Sequence, residues 1–98
     1  MLESKFKTTL VREIKELFPG IFVIYTDPNQ IQGFPDLLLL YKNVWAALEG
    51  KKYKGAKEQP NQRYYVNLLN ELSFARFIYP ENREEVISDL ICYFEEVE

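Results

Sequence analysis

The sequence has no histidine, a single cysteine and no long apolar run. Without histidine, imidazole acid–base catalysis, zinc fingers and nucleases built on a histidine general base are all excluded. Any catalysis must use carboxylates, lysine, tyrosine or a bound metal, and oxygen donors favour a hard ion such as Mg²⁺, with Mn²⁺ as a substitute. One cysteine, Cys92, cannot form an intrachain disulfide; it is expected to be a small buried side chain in the last helix. No segment has the layout of a signal peptide or the length of a membrane span, so a cytoplasmic location and no membrane partner are expected. No glycine loop ends in Lys-Ser/Thr, which argues against a phosphate-binding ATPase loop. There is also no internal repeat, no low-complexity segment and no aromatic–basic repeat of the kind used by single-strand binders.

What is present is enough for one core. The 98 residues are 47% hydrophobic and 15% aromatic, which fits one folded domain over 1–98 and is too short for two. A domain of this size often gains core area by pairing with a second copy, so a homodimer is expected. The formal charge of -3 conceals an asymmetry. Residues 1–80 hold 11 Lys/Arg against 8 Asp/Glu, whereas residues 81–98 hold one Arg against 7 Asp/Glu. Lys51, Lys52, Lys54 and Lys57 crowd into seven residues. Nucleic-acid binding depends on such a local patch and not on the total, so the acidic balance does not exclude it.

Periodicity predicts a first helix from about Leu2 to Phe18, with Phe6, Leu10, Ile14 and Leu17 at spacings of three and four and Pro19-Gly20 as the stop. Glu3 falls inside that apolar stripe and Glu13 at its edge; an acid facing a core needs a partner or a wet cleft. Strands are expected over Ile21–Tyr25, Asp36–Tyr41 and Val44–Glu49, the last two joined by a tight turn at Lys42-Asn43. A second helix is expected from Pro60 through Leu72, a strand over Phe74–Tyr79, and a last helix opened by Pro80 whose acidic start suits the helix dipole. The order is helix, three strands, helix, strand, helix: an α/β domain.

The chemistry gathers at one end of the hairpin. Counting outward from Lys42-Asn43, Tyr41 faces Val44 and Asp36 faces Glu49. Two carboxylates at one sheet end repel unless a cation sits between them. Lys51, two residues after Glu49, faces the same way along an extended chain. Gly50 between them allows close backbone approach, and its carbonyl is a candidate metal ligand. An Asp, a Glu and a Lys converging on a divalent ion suit phosphodiester hydrolysis. The metal activates water and neutralises developing charge, while the lysine positions the water or stabilises the transition state.

Gly33-Phe-Pro-Asp36 followed by Glu49-Gly-Lys51 resembles the PD-(D/E)XK nuclease pattern. Over roughly residues 2–80 the chain most resembles the small virus-type replication-repair nuclease (VRR-NUC) domains and the related Holliday junction resolvases. The resemblance implies a restriction-endonuclease-like core of order α-β-β-β-α-β-α, a mixed sheet flanked by helices, with the acidic 81–98 helix as an addition. It assigns metal binding to Asp36 and Glu49 and catalysis to Lys51. It also implies a first-helix glutamate near the metal, either Glu3, whose helical phase fits, or Glu13. A glutamine at the start of the second helix, Gln62 in preference to Gln59, would touch the site or the DNA backbone. Gly50 departs from the pattern, since an apolar strand former is commoner in the middle of the ExK motif, and puts local strand order in question.

If the resemblance holds, Lys52, Lys54 and Lys57 are phosphate contacts. Asn29, Gln30 and Gln32 lie where a groove or branch point would approach, and Trp45, Tyr64, Tyr65 and Phe74 are expected to pack. The expected activity is a Mg²⁺-dependent DNA endonuclease, selective for branched or duplex structure, acting as a homodimer or through a targeting partner. Such a domain would fit a phage genome, and hence a host cytoplasm. The alternatives are a catalytically inactive relative serving as a DNA-binding or assembly module, and a structural α/β protein in which the match is accidental.

Overall fold

The computed structural model describes residues 3–96, apart from the side chain of Glu3. Helix α1 spans Glu3–Leu17, and strands β1 (Phe22–Tyr25), β2 (Leu37–Tyr41) and β3 (Val44–Gly50) follow. Helix α2 spans Gln62–Leu72, β4 Ala75–Ile78 and α3 Arg83–Glu95. The four strands form one mixed sheet in the order β1-β2-β3-β4, antiparallel except for the β3/β4 pair. The turn at Lys42-Asn43 closes the β2/β3 hairpin, with Tyr41 opposite Val44 and Leu37 opposite Leu48. Lys42 carries the positive φ of that turn, 56°. The β3–β4 connection runs through α2, since parallel neighbours cannot be joined by a tight turn.

The side-chain period of two sends β2 and β3 to two different layers. Leu37, Leu39, Ala46 and Leu48 face a core shared with Phe6, Leu10, Val11 and Ile14 of α1 and Val86, Ile87, Leu90 and Phe94 of α3. Leu38, Trp45 and Ala47 face the other way and pack with Tyr65, Val66 and Leu69 of α2. The sheet is therefore sandwiched, with α1 and α3 on one face and α2 on the other.

Three expectations need correction. Leu17, the last residue of α1, is exposed, and Val11 and Phe18 complete the buried stripe instead; its phase lies within the stripe, so its place at the helix end, and not rotation, leaves it outside the packed face. Cys92 is exposed, because it lies two residues, about 200°, beyond the buried Leu90. Tyr64 is 62% exposed and meets only the edge of the packed α2 face through Tyr65. Helix α3 packs through four side chains in the larger core, and Arg83 at its start pairs with Glu13 of α1. Its charges occupy the solvent side. Among the described residues, no helix is long and apolar enough to cross a membrane.

Candidate functional site

The loop between β1 and β2 is built to hold Asp36. Thr26 donates its backbone N–H to the Asp36 carbonyl (3.0 Å) and its hydroxyl to the Pro35 carbonyl (2.7 Å), fastening the end of β1 to the start of β2. Pro35 is fully buried. Gly33 takes φ +88°, and a Cβ there would lie 2.6 Å from the Pro60 carbonyl oxygen and 2.7 Å from Asn61. This glycine lets the loop pass directly against the start of α2, bringing the Asp36 segment and Gln62 to one cleft.

At the other end of the hairpin, Glu49 is 3% exposed on β3, one step beyond the Leu37–Leu48 pair and thus opposite Asp36. Gly50 donates its backbone N–H to Asp36 Oδ1 at 3.2 Å. In an extended strand the N–H and C=O of one residue point to the same side, so the Gly50 carbonyl is directed toward Asp36 as well. Asp36 and Glu49 line a cleft of about 460 Å³ together with Lys7, Thr26, Gln59 and Gln62. Gln32 also reaches it.

Lys51 continues the strand direction, its backbone N–H bonded to the Ile78 carbonyl at 2.8 Å. Its side chain is 7% exposed, and its ammonium is held by Gln62 Oε1 (2.6 Å) and by the Lys57 carbonyl (3.2 Å). The lysine lines a neighbouring cleft and not the one that holds the carboxylates. Gln62 joins the two, because it lines the first cleft while its carbonyl oxygen holds Lys51. That oxygen also accepts the Gln59 backbone N–H at 2.8 Å, so two donors fix the amide's orientation at the start of α2.

The structure thus brings Asp36, Glu49, Gly50 and Gln62 together, with Lys51 adjoining. Glu13 is elsewhere, paired with Arg83, so it is not the site's first-helix carboxylate. The side chain of Glu3, the other candidate, lies outside the described residues. Lys52, Lys54 and Lys57 are exposed around the loop, and what Lys57 gives Lys51 is its backbone carbonyl. Glycine within the Glu-Gly-Lys motif does not interrupt the strand, since β3 runs through Gly50 and pairs it with Ile78.

Sequence reasoning misses Lys7. Its ammonium sits 2.9 Å from Asp36 Oδ2, with both side chains about one-fifth exposed. Its aliphatic stem crosses Gly50: a Cβ on that residue would lie 2.9 Å from Lys7 Cγ. The helical phase that puts Glu3 inside the apolar stripe puts Lys7, one turn later, at the stripe's edge.

Among the described residues, no group of three or more acidic or cysteine side chains is placed to hold a metal. Two carboxylates at a sheet end, with a backbone carbonyl aimed beside them, nevertheless fit a small hard cation. Mg²⁺ is commonly held by one or two carboxylates and keeps several waters. Comparison with protein-family models, curated proteins and solved structures finds no match to this chain.

Proposed function

We propose that the protein is a divalent-metal-dependent DNA endonuclease of the PD-(D/E)XK type, with Asp36, Glu49 and the Gly50 carbonyl holding Mg²⁺ or Mn²⁺. The observation that carries this reading is the placement of Asp36 and Glu49 across the end of one hairpin, in a cleft where Gln62 links them to Lys51. When bound, the metal would supply Lewis-acid activation of water and charge neutralisation at the phosphate. The protein's own groups do the rest. Gln62 Oε1 and the Lys57 carbonyl fix the Lys51 ammonium against a residue that lines the carboxylate cleft, from where it would stabilise negative charge developing on the phosphate oxygens. Both of its partners are acceptors, an arrangement that suits electrostatic stabilisation and water positioning more than proton abstraction. Lys52, Lys54 and Lys57 offer exposed ammonium groups to flanking phosphates.

A homodimer belongs to the same reading. It would double a modest basic surface and cover apolar side chains that one protomer leaves in water, Phe22 (62% exposed) and Leu40 (37% exposed).

The Lys7–Asp36 ion pair favours a second reading, an inactive nuclease-like DNA-binding or assembly module in which an internal cation stands where the metal would be. One experiment separates the two. Purified protein is incubated with supercoiled plasmid and with a synthetic four-way junction, in Mg²⁺, Mn²⁺ or EDTA, beside Lys51→Ala. Metal-dependent cutting lost in K51A supports the enzyme. Folded protein that neither cuts nor binds Mn²⁺ sinks it and leaves the module.

A further inference from the structure

Lys51 lines a second cleft, of about 330 Å³, that neither Asp36 nor Glu49 lines. Its aromatic walls come from three places: Tyr53 in the lysine-rich loop, Phe77 on β4 and Tyr79 just after it. Tyr53 is 51% exposed, so one ring stands ready for contact. Lys54 and Arg63 bring positive charge to the same cleft. The Arg63 guanidinium lies over the Phe77 ring, 4.5 Å from its centroid, and is held there by Glu58. Asn82, which also lines the cleft, accepts the Tyr79 backbone N–H (2.8 Å) and donates to the Phe77 carbonyl (3.0 Å), which fixes the backbone of both aromatic residues.

Exposed aromatic faces beside cations bind nucleobases, because every base has a face to stack and a phosphate close by. The volume is at the small end of ligand pockets, with room for one nucleotide unit and not for a strand. A base inside an intact duplex cannot enter, since its faces are stacked and its edge is paired. Position then narrows the ligand further. Lys51 lines this cleft and touches Gln62 of the other, so an occupant sits next to any phosphate held at Asp36 and Glu49.

We infer that this pocket takes the unpaired base adjoining the cleaved phosphodiester, Tyr53 stacking on the base and Lys54 meeting its phosphate, so that flapped, branched or frayed DNA is preferred to closed duplex. The inference rests on the nuclease reading for its location beside a phosphate.

The test is binding in EDTA, where no cutting occurs, read by fluorescence anisotropy. The probes are a labelled blunt hairpin and the same hairpin carrying a three-nucleotide 5′ or 3′ single-stranded flap with 2-aminopurine next to the junction. The wild-type protein should bind one flapped hairpin about tenfold more tightly than the blunt one and quench its 2-aminopurine. Tyr53→Ala should lose both effects while its affinity for the blunt hairpin stays unchanged, and Tyr53→Phe should keep both. Equal binding of blunt and flapped hairpins, or a flap preference that survives Y53A, overturns the pocket assignment and leaves the nuclease reading standing. Folded protein that binds no hairpin overturns the DNA reading and this inference with it.

Discussion

An ammonium 2.9 Å from a carboxylate competes with any other cation the carboxylate is to hold. Lys7 and Asp36 are only partly buried, so water screens the pair, yet at that range the repulsion between Lys7 and a divalent ion remains worth about an order of magnitude in affinity. Lys7→Met keeps the apolar stem over Gly50 and removes the charge. It should tighten Mn²⁺ binding about tenfold by calorimetry, whereas Asp36→Ala should abolish it. Unchanged or weaker Mn²⁺ binding in K7M would show that Lys7 is no competitor. The residue scale is also where legibility in the sequence is most uneven. Asp36 and Glu49 are legible because a two-residue turn dictates which residues end up opposite each other. Lys51 is only half legible: alternation along the strand gives its face, but its ammonium is turned by acceptors on Gln62 and Lys57 that local alternation does not place. Lys7 could be read from its helical phase beside Glu3, but a lysine next to an apolar stripe usually reaches solvent.

At the scale of elements, two glycines with positive φ differ in what surrounds them, and the difference makes a prediction. Gly20 follows α1 at φ +90°, and a Cβ added there would have nothing within 4 Å, while Gly33 at φ +88° is pressed against the backbone of Pro60 and Asn61. Gly20→Ala should therefore cost only the strain of the left-handed backbone, about 1 kcal/mol. Gly33→Ala adds a collision with main chain that has no flexible end to move, and should cost about 2–4 kcal/mol in urea unfolding. It should also separate the Asp36 loop from α2 and weaken whatever the cleft binds. Equal costs for the two variants would mean that the close approach of loop and helix is not a constraint. Gly50→Ala is an intermediate case: the obstacle is the Lys7 stem, which can shift, so G50A should be mild and milder still in a K7A background. Elements themselves are largely legible from apolar periodicity, with ends displaced by a residue or two. Helices α2 and α3 begin two or three residues past the prolines expected to open them, because Asn61 takes a left-handed φ of 72° and the Asn82 side chain binds back to Tyr79 and Phe77 before either helix starts. Those bonds depend on tertiary neighbours that no local pattern announces.

For the whole molecule, the uneven covering of the sheet is what matters. Helix α2 packs against β3, β4 and Leu38 of β2, and leaves Phe22 of β1 and Leu40 of β2 exposed on the same face. There Phe22 pairs across the strands with Leu40, and Leu40 with Trp45, so the three side chains make a continuous apolar row on one face. Beside it, β1 is an edge strand, with no further strand on its outer side among the described residues; chains either protect such an edge or use it for pairing. A row of this kind is invisible in the sequence: the composition shows enough apolar residues for a core, but only the sheet order shows that Phe22 and Leu40 extend the row beyond the part that α2 covers. A two-fold interface through this face would bring Phe22 of each protomer against the other's row. The native protein should then sediment at about twice 11.7 kDa, and its melting temperature should fall on dilution. Phe22→Glu, a change at a side chain already in water in the single chain, should give a folded protein of 11.7 kDa whose melting temperature no longer depends on concentration. A native chain that is monomeric at about 100 μM, well above the range of a specific dimer, would remove the homodimer from the functional reading. A dimer that persists in F22E would move the interface off this face.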